Sequence, residues 1–318
     1  MSVAALRASA PVVGRPGAEP ALWGLVGNTP LIPLAAPTAG VALGLKAEWF
    51  NPGGSVKDRA ALFILRDGLA RGELPRKRVL DATSGNTGIA YAMLGAAAGI
   101  GVTVCLPSNA SVERQVLLET YGAEVVHTDP LEGTDGAIRR AQALFAAEPS
   151  RYWYADQYNH PANARAHAVT TAEEIWRQTG GRVTHLVAGL GTTGTLMGTG
   201  RRLRELNPGI ELVAVQPDGP LHGLEGLKHL ETALVPGLYD PALPSCTEFV
   251  ATELAEEAVR ELARTAGLFI GWSAGAAVVA ARRVAARVPA GSPATIVVIG
   301  PDSGMRYLSE GERLRGAT

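Results

Sequence analysis

Cysteine is almost absent from this chain. Cys105 and Cys246 stand far apart and form no CxxC spacing. This excludes a structural zinc site and a disulfide framework and fits a reduced, cytoplasmic setting. An excess of charge of either sign is lacking too. The 29 basic and 30 acidic residues give a formal net charge of −1, and without basic clusters nucleic acid is excluded as the main partner. A membrane span has one candidate, because no residue from Ala82 to Val112 is charged. Gly95, Gly99, Gly101 and many alanines keep Ile89–Leu106 below the hydrophobicity of a spanning helix. Its front reads as a core helix and Val102–Leu106 as a buried strand. Met1–Pro20 is rich in Ala, Pro and Gly, with Arg7 and Arg15 breaking its apolar runs. It reads as a loose arm, not a signal peptide. Repeats of fixed period are missing.

What is present is a chain of 318 residues, 47% hydrophobic and 19% charged, long enough for two domains or one large α/β unit. Short apolar runs alternate with helical stretches. Val41–Glu48, Val79–Asp81, Val102–Leu106 and Glu124–His127 read as strands, with helices at Gly88–Ala98, Val112–Tyr121 and Gly136–Ala147. Gly122 supplies a left-handed stop after Tyr121. A second series places helices at Arg165–Gln178, Thr195–Glu205 and Glu253–Thr265, and strands at His185–Ala188, Glu211–Gln216 and Thr295–Ile299. Pro217–Pro244 is irregular and reads as a substrate-side loop. The alternation predicts βαβ units and parallel sheets.

Four stretches carry chemistry. In Asn51–Arg59 (NPGGSVKDR) a glycine-rich turn delivers Lys57 to the start of a helix. A desolvated lysine there can form a Schiff base with an aldehyde; a capped surface helix with Lys57 in solvent is the plain alternative. Thr83–Gly88 (TSGNTG) joins a strand to a helix and offers hydroxyls, an amide and backbone N–H groups to a carboxylate. It also suits an ordinary polar loop with Ser84 or Thr87 as N-cap. Gly189–Thr195 (GLGTTGT) can bring backbone and three hydroxyls against a phosphate at a helix N-terminus. Gly189, Gly191 and Gly194 also match a dinucleotide fingerprint, with Asp218 about twenty residues on as the ribose acid. In Gly271–Ala277 (GWSAGAA) small residues let something flat lie close to backbone, and Ser273 can hydrogen-bond it or cap the helix.

Together these residues resemble the cysteine synthase / cystathionine β-synthase family of fold-type II pyridoxal-phosphate enzymes, most of all the B-type cysteine synthases. The resemblance runs from Gly27-Asn28-Thr29-Pro30-Leu31 to Ser303-Gly304-Met305-Arg306-Tyr307-Leu308-Ser309, with Gln157–Asn163 and Leu238-Tyr239-Asp240-Pro241 also in family order. It implies two domains, each a mostly parallel sheet flanked by helices, with the active site in the cleft between them. Residues 21–50 and 160–318 would form the larger, phosphate-binding domain, and 51–159 the smaller mobile one. It further implies pyridoxal 5′-phosphate as cofactor and Lys57 as its Schiff-base lysine. Asn86 would contact the ring 3′-oxygen, Gly191, Thr192, Thr193, Gly194 and Thr195 would cradle the phosphate, and Ser273 would face the pyridine nitrogen. Thr83, Ser84, Gly85, Thr87 and Gln157 would hold the substrate carboxylate. Lys228, where phosphoserine-using relatives carry arginine, is either a point charge for a phosphate or a solvated loop residue.

The implied reaction is β-replacement on O-acetylserine or O-phosphoserine by a sulfur donor, giving L-cysteine by way of an α-aminoacrylate. Related reactions are another nucleophile, as in cystathionine or diaminopropionate synthesis, and serine/threonine dehydration. A nicotinamide oxidoreductase is the competitor with a different cofactor. A homodimer and a sulfur-carrier protein are the implied macromolecular partners. Haem and regulatory segments are not recognised, which sets classical cystathionine β-synthase aside.

Overall fold

The computed structural model describes residues 19–83, 85–289 and 291–315; residues 1–18 of the arm and Ser84 lie outside them. Two sheets divide the chain. The first strands are β1 (Leu31–Leu34) and β2 (Val41–Ala47), followed by helix α1 (Lys57–Ala70). Then β3 (Arg78–Ala82), α2 (Asn86–Ala98), β4 (Val102–Pro107), α3 (Val112–Thr120), β5 (Glu124–Thr128), α4 (Gly133–Ala147) and β6 (Tyr152–Tyr154) alternate. The second series runs α5 (Pro161–Ala166), a π-helical turn His167–Thr171, α6 (Ala172–Gln178), β7 (His185–Gly189), α7 (Gly194–Leu206) and β8 (Glu211–Pro217). The chain closes with β9 (Cys246–Val250), α8 (Thr252–Ala266), α9 (Trp272–Arg287), β10 (Ala294–Gly300) and α10 (Gly311–Arg315).

The larger sheet has the order β1-β2-β10-β7-β8-β9 and the smaller β5-β4-β3-β6. Every pairing is parallel except the β1–β2 edge. The parallel strands β4 and β10 are almost wholly buried, as expected when helices cover both faces. Val102–Pro107 is therefore core, and among the described residues no helix is long and apolar enough to cross a membrane. One apolar cluster packs α1 and α2 on β3 and β4, with Trp23 donating its indole N–H to the Leu94 carbonyl at 3.0 Å. Two others fill both faces of the larger sheet. Cys105 is buried and Cys246 exposed, both free.

The strand–helix order follows the sequence reading, with local differences. The helix expected from Gly88 begins at Asn86, with Gly85 at the cap position and Thr87 inside the helix; the Ser84 alternative lies outside the described residues. Gly122 does take a positive φ of 77° after α3. The single helix expected over Arg165–Gln178 begins earlier and contains the π-helical turn. Pro217–Pro244 holds no helix or strand beyond the end of β8.

Candidate active site

Four helices start at the cleft between the sheets. The first residues of α1, α2, α7 and α9 bring Lys57, Asn86, Thr195 and Ser273 to one cavity, together with Gly191, Thr192 and Thr193. Each helix start presents unpaired N–H groups and a partial positive charge, so the cavity favours anions.

The chain has four lysines. Lys46 pairs with Glu174 at 2.6 Å, Lys77 with Glu73 at 2.8 Å and Lys228 with Asp135 at 2.6 Å. Lys57 alone has no carboxylate in ion-pair range among the described residues. Burial pushes its pKa below the ordinary lysine range, opposed by the charge of Asp302. Lys57 is half-buried and lines the cavity.

Local contacts explain the residues around it. Asn51 accepts from the Gly27 N–H at 2.8 Å and donates to the Glu48 carbonyl at 2.8 Å, fixing the turn. Asp58 accepts from the Gly53 N–H, and Arg306 donates to the Gly53 carbonyl. Arg59, fully buried, forks between Glu48 (2.6 Å) and Glu174 (2.7 Å). These bonds anchor the first turn of α1, although the rest of that helix packs on the smaller sheet.

The glycine–threonine loop lies between β7 and α7. Thr193 caps α7 with φ at +67°, a costly conformation for a β-branched residue. Its Oγ1 is buried without a hydrogen-bond partner among the described residues. A Cβ on Gly191 would collide with the Gly226 carbonyl, and one on Gly194 with the Asn163 side chain. Asn163 donates to Thr192 Oγ1 at 3.0 Å and to the Gln157 carbonyl at 2.8 Å. Thr195 Oγ1 lies 3.3 Å from His167 Nε2. Burial lowers the pKa of that histidine to about 3, so it is neutral.

The facing wall is the TSGNTG loop. Thr83 Oγ1 accepts from the N–H groups of Gly85 (2.9 Å) and Gly88 (3.2 Å), so its hydroxyl shapes the turn. Thr87 donates to Gln157 Oε1 at 2.7 Å, and Gln157 donates to the Ala82 carbonyl at 2.6 Å. Gly85, with φ at +148°, lies against Arg114. The N–H groups of Asn86 and Thr87 have no intrahelical partner and suit a carboxylate. Asn86 Oδ1 is also buried without a partner. Ser273 is nearly buried on the first turn of α9, inside the helix; the cap position belongs to Gly271. The unmet Thr193 hydroxyl and the N–H groups at the start of α7, reached by backbone that glycines keep open, fit a phosphate monoester.

Lys228 corrects one expectation. It is not a solvated loop residue: only 8% is exposed, and its ammonium lies on Asp135 and over the Tyr158 ring at 5.1 Å. The reason is geometric, since the Lys228 N–H bonds to the Leu190 carbonyl at 2.8 Å and pins the loop across the cleft. Arg114 of α3 pairs with Glu225 of the same loop. Sequence reasoning also missed Glu48, Glu174, Asp135 and Asp302. Glu174, Asp135 and Asp302 lie far in sequence from the groups they meet, and Glu48, though eleven residues from Arg59, ends a strand-like run with nothing to mark it.

Residues 22–302 match the family model described as pyridoxal-phosphate dependent enzyme. The chain is 50% identical over 293 residues to the cysteine synthase of Aquifex aeolicus, covering 90% of this chain and 89% of the relative. It is 42% identical to cysteine synthase B of Escherichia coli, covering 90% and 93%. The crystal structure of O-acetylserine sulfhydrylase isoform 3 from Entamoeba histolytica superposes with a TM-score of 0.84 at 34% identity, covering 92% of this chain and 93% of that one.

Proposed function

The chain belongs to the pyridoxal-phosphate-dependent enzymes, in their fold-type II architecture, and from that premise we propose that it makes L-cysteine by β-replacement on O-acetylserine with a sulfur donor. The single observation that carries the site assignment is Lys57: of four lysines it alone has no carboxylate in ion-pair range among the described residues, and it faces the threonine loop across one cavity. Hydride transfer to or from a nicotinamide needs no Schiff base with the protein.

Bound pyridoxal phosphate supplies an aldehyde for a lysine amine and a ring that acidifies the substrate Cα–H. The chain's own residues do the rest. Thr193 and Thr195 hydroxyls and the first N–H groups of α7 hold the phosphate, with the helix dipole favouring its charge. Ser273 offers a neutral hydroxyl at the pyridine nitrogen, and Asn86 faces the ring 3′-oxygen. Thr87, Gln157 and the start of α2 receive the substrate carboxylate; Ser84 belongs to the same reading. Burial raises the neutral fraction of Lys57, the form that accepts the Cα proton and later returns it. The Pro217–Pro244 loop and α3–α4 cover the cleft and limit water.

Charge compensation favours the acetyl over the phosphoryl leaving group. The two cations best placed to receive a phosphate, Lys228 and Arg114, already face Asp135 and Glu225. A dianion would have to displace those carboxylates; acetate needs no such exchange. A cytoplasmic homodimer completes the reading on the family resemblance, and a sulfur-carrier protein is an alternative donor to free sulfide.

Rapid-scan absorption with O-acetylserine and O-phosphoserine side by side, followed by sulfide and assay of cysteine, tests the proposal. Faster spectral change with O-acetylserine and cysteine as product are expected. No change with either donor, and cystathionine formed from serine and homocysteine, would overturn it.

A further inference from the structure

Asp302 stands just beyond β10 in the wall of the cleft, and no step above uses it. It is fully buried, with 1% exposed. Its Oδ2 accepts from Asn86 Nδ2 at 2.7 Å and from the Tyr307 hydroxyl at 2.8 Å. Its Oδ1 has no hydrogen-bond partner among the described residues and lies over Gly271, where any Cβ would collide with it. The same cavity is lined by Lys57, Asn86, Ser273 and Asp302.

A carboxylate only accepts hydrogen bonds, whereas an amide has a donor end and an acceptor end. The contact with Asp302 therefore decides which way the Asn86 amide faces. Its nitrogen turns to Asp302, one N–H is consumed, and the second remains for the cavity. A flipped amide would set its oxygen against the carboxylate. Tyr307 holds that carboxylate in place, and Arg114 lies over the Tyr307 ring at 5.1 Å.

We infer that Asp302 is a positioning residue that locks the Asn86 amide with its donor end toward the 3′-oxygen of the cofactor ring. The inference rests on the reading of Asn86 proposed above. Asp302 acts through Asn86, so its effect on cofactor affinity disappears when the amide is removed.

The test is a double-mutant cycle on affinity, not turnover. Apoprotein of the parent, Asp302→Asn, Asn86→Ala and the double variant is titrated with pyridoxal phosphate, and each apoprotein's unfolding midpoint is recorded. Asp302→Asn is expected to weaken binding about tenfold, in the range of a charge-assisted hydrogen bond. In the Asn86→Ala background the same change costs less than about twofold, with apoprotein midpoints unchanged. Tyr307→Phe, which leaves the carboxylate but removes one support, weakens binding by a smaller factor and serves if Asp302→Asn does not fold. An equal loss in both backgrounds, or none from Asp302→Asn while Asn86→Ala weakens binding, overturns the inference. If Asn86→Ala itself leaves affinity unchanged, the reading of Asn86 fails and the inference falls with it.

Discussion

Lys228 donates to Asp135 at 2.6 Å across the mouth of the cleft, joining the long loop after β8 to the first turn of α4. Asp135 also accepts from the Leu234 N–H at 2.8 Å. The lysine proposed as a point charge for a phosphate is thus neutralised by its neighbour. Asp135→Asn should free the ammonium and raise kcat/KM for O-phosphoserine relative to O-acetylserine, by about tenfold if one charge–charge term of ~1.4 kcal/mol is released. Competition between the two donors measures the ratio directly; an unchanged ratio would show that Lys228 does not face the leaving group.

Thr193 carries a buried hydroxyl with nothing to bond and a backbone angle unfavourable to it. The unmet hydroxyl is a cost that a bound phosphate relieves by supplying the partner; the backbone cost stays, and valine shares it. Thr193→Val should therefore raise apoprotein stability by ~1 kcal/mol while weakening cofactor retention about tenfold. Thr195→Val should also weaken retention. Urea melts of apoprotein and cofactor titration read the two effects separately, and unchanged retention in both variants would count against the phosphate loop.

Arg59 neutralises two acids, Glu48 and Glu174, beside the Lys57 turn. Despite burial, which acts to raise it, the Glu174 pKa is lowered to about 2, with Arg59 and then Lys46 as the opposing causes. Arg59→Met leaves buried Glu48 without its cation and Glu174 with Lys46 alone, and should cost ~3–5 kcal/mol, the range for breaking a buried pair. Thermal unfolding of the variant checks this; a loss below ~1 kcal/mol would mean water reaches the network.

The acid side of the stability profile should carry His167. Burial first, and then the Arg59 charge, lower its pKa from 6.5 to about 3. Between those values the unfolded chain binds the extra proton, so this contribution is present above pH 6.5 and lost as pH falls toward 3. The slope is ~1.4 kcal/mol per pH unit over that window. Urea melts at pH 7.5 and pH 5 should differ by ~2 kcal/mol from this residue, and His167→Gln should flatten the difference.

Much of the fold was legible because parallel strands announce themselves as apolar runs between helical stretches. Val102–Pro107 and Ala294–Gly300 are such runs. Tyr152–Tyr154 and Cys246–Val250 were not, since three aromatics or an edge strand with polar residues carry no clear period. At the site, the lysine turn and the glycine–threonine loop showed in local composition. The acids did not: Glu174 meets Arg59 across 115 residues and Asp302 meets Asn86 across 216. Only the folded chain brings such partners together. The compensation of Lys228 was hidden for the same reason.

The most direct measurement of the central claim is borohydride reduction of the purified, cofactor-loaded protein followed by peptide mapping. The chain offers only Lys46, Lys57, Lys77 and Lys228 as side-chain amines. The prediction is one pyridoxyl group, on the peptide carrying Lys57. A label on Lys46, Lys77 or Lys228, or no label on protein that retains the cofactor, would contradict it.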